Sequence, residues 1–83
     1  MIPEDIAASI KDNLSRITGI PAASIADQAL FQKDLGLDSL SLLELVVHLE
    51  YSFKIKVPEH DLTSLRTVAD TAQYIHQRRT PSA

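Results

Sequence analysis

The stretch Asp34-Leu35-Gly36-Leu37-Asp38-Ser39-Leu40-Ser41-Leu42-Leu43-Glu44-Leu45-Val46-Val47-His48-Leu49-Glu50-Tyr51-Ser52-Phe53 decides how this chain folds. Gly36 permits a backbone turn that bulkier residues resist. Asp38 follows as a good N-cap, so a helix is predicted over residues 39–53. At 100° per residue, Leu42, Leu45, Val46, Leu49 and Phe53 fall on one side and form an ordinary core stripe. Leu40, Leu43, Val47 and Tyr51 fall on roughly the opposite side. Glu44 and His48 flank that second stripe on one edge, and Glu50 lies on the other. A helix at the edge of a small bundle cannot bury both stripes internally. The second is therefore expected to serve as a docking surface for other proteins, with part of it packing under the preceding loop as the structural alternative.

Upstream, Ile6, Ile10, Leu14 and Ile17 recur at four, four and three residues and mark one helical face. A first helix is predicted over about residues 3–18, with Pro3 in its first turn and Glu4 and Asp5 at its positive end. Gly19 stops it and Pro21 prevents resumption. Residues 19–38 show no sustained periodicity and read as a loop. A loop of that length is unusual in a compact domain. Phe31 and Leu35 are expected to pin it to the core; the alternative is that they line a pocket for a ligand.

Downstream, Lys54-Ile55-Lys56-Val57-Pro58 alternates like a short strand, but no partner strand is evident. A short helix is predicted over residues 59–63, led in by Pro58. A last helix is predicted over residues 67–79, where Thr67 and Asp70 have capping-box spacing with Asp in place of the usual Glu. Val68, Ala72 and Ile75 form its buried face, and Arg78 and Arg79 suit its last turn. Residues 80–83 read as a tail. The expected architecture is a single all-α domain over residues 1–83. It is a small antiparallel bundle of three main helices plus a short one, with a long loop between the first two.

Composition bounds the function. Eighty-three residues make one domain at most, with one modest core. There are no cysteines, which excludes disulfides, zinc–thiolate sites and cysteine nucleophiles. No apolar run approaches the roughly 20 residues of a membrane span, and the acidic start, Met1-Ile2-Pro3-Glu4-Asp5, does not read as a secretory signal. A cytoplasmic protein is the expectation. The net charge is −3. Residues 1–53 carry eight acids and three bases, and residues 54–83 carry three acids and five bases. No clustered basic face for nucleic acid is present, which leaves proteins or small molecules as partners. His48, His60 and His76 have no ligand spacing, so no metal site is expected.

Ser39 falls in the first turn of the second helix, where unpaired backbone N–H groups and the positive dipole end would favour an anion on its hydroxyl. No Gly-x-Ser-x-Gly elbow surrounds it, and no histidine stands in relation to it. Ser39 therefore reads as a modification acceptor and not as a catalyst. Taken alone, Asp38-Ser39 is also what a plain helix cap looks like.

The motif is not alone. D-L-G-L-D-S-L, followed by L-L-E-L-V-V-H-L-E-Y-S-F, V-P and T-V-A-D-T-A-Q-Y-I, resembles the acyl carrier protein family from Ile6 to Ile75. The resemblance implies a 4′-phosphopantetheine arm on Ser39, with Gly36, Asp38 and Leu40 completing the attachment motif. A separate phosphopantetheinyl transferase would install the arm. The thiol at its end would carry acyl or polyketide groups as thioesters to a ketosynthase, an acyltransferase and other biosynthetic enzymes. The chain itself would be a monomeric, non-catalytic carrier with no membrane or nucleic-acid partner. The family's recognition helix begins at the serine, so the partner face carried over is Leu40, Leu43, Glu44, Val47, Glu50 and Tyr51.

Fatty-acid carriers resemble one another in strong acidity, with an acid two residues after the serine and more toward the end of the recognition helix. Ser41, Tyr51 and Ser52 depart from that pattern, while Glu44 and Glu50 keep it. Lys54 and Lys56 add positive charge just beyond. A specialised carrier of polyketide, antibiotic or related secondary-metabolite biosynthesis is therefore expected ahead of a housekeeping fatty-acid carrier. Aminoacyl and peptidyl carriers resemble G-G-x-S at the attachment site, and G-L-D-S counts against that reading. From a different class, an unmodified helical adaptor would use the same apolar stripe. The initiating methionine and short tail favour a free-standing chain over a segment of a larger synthase.

Overall fold

The apolar spacing of residues 6–17 does form a helix. A computed structural model describes residues 4–79, in which α1 spans Glu4–Thr18, α2 Ser39–Phe53 and α3 Val68–Arg79. Two short 3₁₀ segments, Ala22–Ser24 and Glu59–Ser64, lie in the connections. The fold is the all-α bundle expected. Pro3 and the tail of residues 80–83 lie outside the described residues.

α1 is the centre of the packing and contacts both α2 and α3. Ile6, Ile10 and Leu14 are completely buried on its inner face. Leu45 and Leu49 of α2 and Val68, Ala72 and Ile75 of α3 join them in one cluster. Ile17, Leu42 and Phe53 are only partly buried against that cluster, because each sits at a helix end or at the edge of the stripe.

The helix ends are set by local chemistry. Gly19 adopts φ +81 and its N–H donates to the Ser15 carbonyl at 2.8 Å, closing α1. Lys54 takes the same left-handed conformation at φ 55 after α2, and the Ile55 N–H donates to the Glu50 carbonyl at 3.1 Å. A lysine there forgoes glycine's freedom, which costs about 1 kcal/mol. At the start of α3 the Thr67 Oγ1 accepts from the Asp70 N–H at 3.0 Å, so Thr67 caps a helix that begins at Val68 and not within it.

The long loop is held from both ends of the chain. Phe31 and Ile25 insert into the core, with Leu35 packed partly against it. The Phe31 N–H donates to the Arg66 carbonyl at 2.8 Å, the Ala69 N–H donates to the Asp27 carbonyl at 2.9 Å, and Leu30 and Thr67 form an isolated antiparallel bridge. Lys11 of α1 meets Asp27 at 2.7 Å. Backbone pairing to a segment more than thirty residues distant leaves no local periodicity, which is why the sequence showed only scattered apolar residues here.

Residues 54–58 form no strand among the described residues; after the turn at Lys54 they run as irregular chain, with Ile55 against the core cluster. The short helix is a 3₁₀ segment, Glu59–Ser64, pinned to α3 where the Tyr74 hydroxyl donates to Asp61 Oδ2 at 2.7 Å and Arg78 reaches the same oxygen at 3.0 Å.

Candidate functional site

Gly36 stands at φ +71 and turns the chain into α2. A Cβ there would meet nothing within 4 Å, so conformation and not space calls for glycine. The turn is anchored on one side by Leu37, which is buried and whose N–H donates to the Phe31 carbonyl at 2.9 Å. Nothing in the sequence separated Leu37 from Leu35; only the path of the loop shows that Leu37 is the deeper anchor. Asp38 follows in extended conformation and its Oδ1 accepts from the Ser41 N–H at 2.8 Å. The Ser41 backbone N–H, and next the Ser41 hydroxyl, lower the Asp38 pKa from its ordinary value of 3.8. Asp38 is thus an ionised N-cap turned toward the helix interior.

That cap leaves Ser39, the first residue of α2, exposed to solvent. Among the described residues its hydroxyl takes part in no hydrogen bond. Leu40 beside it is 69% exposed. The arrangement offers a primary hydroxyl, unencumbered, at the end of a helix whose first N–H groups are partly unsatisfied. A phosphoryl ester fits there without displacing a core side chain or an existing bond. Among the described residues no acid–base partner is hydrogen-bonded to the hydroxyl.

Beside Ser39 opens a groove of about 640 Å³ between the loop, the first turns of α2 and the 3₁₀ segment. Its walls include Leu42 and Leu62, and its rim carries Lys33, Arg66 and Glu59. Phe31 borders it but is buried, and Leu35 does not, so the pair expected to line a pocket contributes one member. Leu62, Lys33 and Arg66 went unremarked in the sequence, because they lie 6 and more residues from Ser39 on separate segments.

The outer face of α2 presents Leu43, Val47 and Tyr51 to solvent, with Tyr51 89% exposed. Leu40 continues the row toward Ser39, and Glu44 and His48 are exposed along it. The stripe is unburied in this chain, and the loop does not cover it. Glu50 differs from its expected role as a rim charge. It is half-buried, and its Oε2 accepts from the Val57 N–H at 2.8 Å, holding the irregular segment after α2. The acidic edge of the face is therefore Glu44 alone, while Lys54 and Lys56 are exposed at the far end.

An all-α scaffold that displays a serine hydroxyl at a helix start beside an exposed apolar helix face is the build of a carrier domain. The family model for the phosphopantetheine attachment site matches residues 8–75. The chain is 39% identical over 74 residues to the meromycolate extension acyl carrier protein of Mycobacterium leprae, covering 89% of this chain and 64% of that relative. It is 35% identical over 74 residues to an acyl carrier protein of Kineococcus radiotolerans, covering 89% of this chain and 91% of the relative. Among solved structures, the acyl carrier protein of Enterococcus faecalis superposes with a TM-score of 0.79 at 28% identity, over 94% of this chain and 99% of that one. The apo doublet acyl carrier protein from prodigiosin biosynthesis gives 0.77 at 25% identity, over 96% of this chain and 42% of that one. The chain belongs to the phosphopantetheine-attachment family of acyl carrier proteins. It spans a little under two thirds of the length of the mycobacterial relatives first matched.

Proposed function

We propose that this chain is a non-catalytic acyl carrier and that Ser39 is the residue to which 4′-phosphopantetheine is joined by a phosphopantetheinyl transferase. When attached, the arm supplies a thiol that holds an acyl group as a thioester. The chain's own residues do the rest. Asp38 caps α2 and keeps its first turn rigid, Gly36 and Leu37 fix the approach of the loop, and the exposed row Leu40, Leu43, Val47 and Tyr51 meets the enzymes that load and unload the arm. The single observation that carries the reading is the Ser39 hydroxyl, exposed at the first position of α2 with its capping site already filled by Asp38. Tethering raises the effective concentration of one cargo at several active sites in turn.

The pathway proposed is a specialised biosynthetic one, polyketide or related, over housekeeping fatty-acid synthesis. Its support is the charge of α2. Ser41, Tyr51 and Ser52 replace acids, and Glu50 is committed to the Val57 N–H. An enzyme that docks through a basic patch finds mainly Glu44 here, so apolar contact carries more of the recognition. Ketosynthase- and acyltransferase-type partners are proposed on this face, with the carrier a monomer in the cytoplasm.

The test is intact-mass spectrometry after incubation with coenzyme A, magnesium and a promiscuous phosphopantetheinyl transferase. The wild type gains the mass of one arm, and Ser39→Ala gains none. A folded wild-type protein whose mass does not change is an unmodified adaptor, and the proposal fails.

A further inference from the structure

The far end of α2 carries charge that the chain itself does not pair. Lys54 and Lys56 are exposed, and among the described residues neither side chain forms an ion pair. Glu50 lies four residues before Lys54, a spacing that suits a pair, but its Oε2 accepts from the Val57 N–H at 2.8 Å. Arg79, against the residue before Lys54, is occupied: its guanidinium lies over the Phe53 ring at 5.6 Å and reaches Asp5 Oδ2 at 3.5 Å. Lys54 also holds φ 55, where glycine is the usual occupant. The turn would be better served by glycine, so the backbone does not call for a charged side chain there. Lys54 and Lys56 are two residues apart, and chain geometry keeps their Cα atoms within about 7.6 Å. With Val47, Tyr51 and Ile55 they border one crevice of about 380 Å³. Val47 and Tyr51 are exposed, so the crevice continues the apolar row that leads back to Ser39. Glu44 stands ten residues before Lys54 and Ser39 fifteen, which is about 15 Å and about 22 Å along the helix axis. The face therefore has a polarity: one acid near the serine, apolar side chains in the middle and two cations at the far end.

We propose that the far end of α2 is a docking site for carboxylates of a partner enzyme: Asp or Glu side chains about 22 Å from that enzyme's active-site entrance meet Lys54 and Lys56, and an apolar side chain beside them seats on Val47, Tyr51 and Ile55. The inference rests on the carrier reading above and narrows its partners to enzymes whose docking patch is basic near the entrance and acidic beyond. A patch that is basic throughout meets Glu44 but sets like charges against both lysines, which costs affinity. The sign at this end is opposite to the acids that fatty-acid carriers place toward the end of the same helix. Opposite charges at the two ends also fix the direction in which the helix lies on the partner, with Ser39 toward the entrance.

The experiment uses a fatty-acid-type ketosynthase with a basic patch at its entrance, and a second form in which the basic side chains about 22 Å from the entrance are replaced by glutamate. Both forms are first shown to accept a hexanoyl group from hexanoyl-coenzyme A at equal rates. Wild-type, Lys54→Glu/Lys56→Glu and Lys54→Gly/Lys56→Gln carriers are loaded with hexanoyl-pantetheine by the transferase, and loading is verified by mass. The readout is KM and kcat for hexanoyl transfer to each enzyme form. The wild type is expected to show a KM about fivefold lower for the acid-bearing form, within the range of two exposed ion pairs, with kcat unchanged. Lys54→Glu/Lys56→Glu reverses the preference, and Lys54→Gly/Lys56→Gln removes it. Glycine suits φ 55, so the neutral variant melts no lower than wild type and its loss is not unfolding. Raising the salt to about 0.5 M removes the preference. If all three carriers treat the two enzyme forms alike, the lysines touch no partner and the proposal is overturned, while Ser39 stays the attachment site. If the wild type elutes as a dimer and Lys54→Glu/Lys56→Glu as a monomer, a second copy is the occupant and the proposal is again overturned. A mass that never changes with the transferase overturns the carrier reading beneath it as well.

Discussion

Asp38 shows how one carboxylate can do two things at the same place. It fills the capping site of α2, and by doing so it leaves the next residue's hydroxyl out in water. Its pKa is lowered chiefly by the Ser41 backbone N–H and then by the Ser41 hydroxyl. A lowered folded value means that the ionised cap stabilises the fold at pH above the usual aspartate range and that this contribution disappears as pH falls through the lowered value. Two variants separate the cap from the charge. Asp38→Ala is expected to melt several degrees lower at neutral pH, with the first turn of α2 losing amide protection before the rest. Asp38→Asn keeps an oxygen for the Ser41 N–H but no charge, so it should melt between Asp38→Ala and wild type at neutral pH and lose less stability than wild type between pH 5 and 3. A thermal-melt series over that range checks both, and equal acid sensitivity in wild type and Asp38→Asn would show that the cap's charge is irrelevant. At the same scale, Asp38 and Gly36 were legible in the sequence because caps and positive-φ turns are local chemistry. The hydrogen bond of Glu50 was not legible, because its partner, the Val57 N–H, sits in the irregular segment just past the end of α2, where no periodic pattern announces a contact.

At the scale of the element, α2 has one apolar face in the core and a second one in solvent. Leu45 and Leu49 are buried in one cluster with side chains of α1 and α3, and Val46 is also buried, whereas Leu43 and Val47 remain 45% and 58% exposed. The division follows from the 100° turn per residue, so it could be read from the sequence before any coordinates. What the sequence left open was whether the loop covers the outer stripe. The loop does not, because its apolar residues are spent elsewhere: Ile25 and Phe31 are in the core and residues 30–31 are paired with residues 66–67. Substituting Val47→Glu is accordingly expected to leave helix content unchanged and stability within about 0.5 kcal/mol of wild type, while slowing acyl transfer to or from a partner enzyme by tenfold or so, an interface core residue being worth more than about 1 kcal/mol. A melt that collapses in this variant would put Val47 inside. The two 3₁₀ segments are a different case. Residues 59–64 are anchored by Tyr74 and Arg78 through Asp61, a triangle of residues with 13 and 17 positions between its ends. Desolvation and the bond to Asp61 raise the Tyr74 pKa, and that bond, in turn, is the main cause that lowers Asp61.

For the whole molecule, one cluster centred on α1 holds three helices and the loop together. Every part of the site depends on it: Leu45 fixes α2, Phe31 fixes the loop, and Val68 fixes the start of α3 beside the groove. Leu45 is completely buried at the centre. Leu45→Ala is expected to cost about 2–5 kcal/mol, a fall in melting temperature of at least about 8 °C for a domain of this size; a calorimetric scan measures it, and a loss below about 1 kcal/mol would mean the core closes over the gap. No helix in the described residues is long and apolar enough to cross a membrane. The sequence by itself determined the three helices, the cap and turn before α2, the second apolar stripe of α2 and the serine at its head, because each is written in spacings of three and four residues or in the chemistry of one turn. Only the tertiary structure decided the path of the loop, the 3₁₀ form of residues 59–64, the burial of Leu37, the commitment of Glu50 and the groove lined by Lys33, Ser39, Leu62 and Arg66. Those features are made where distant segments meet, and their contacts satisfy backbone groups and fill space that no local pattern encodes.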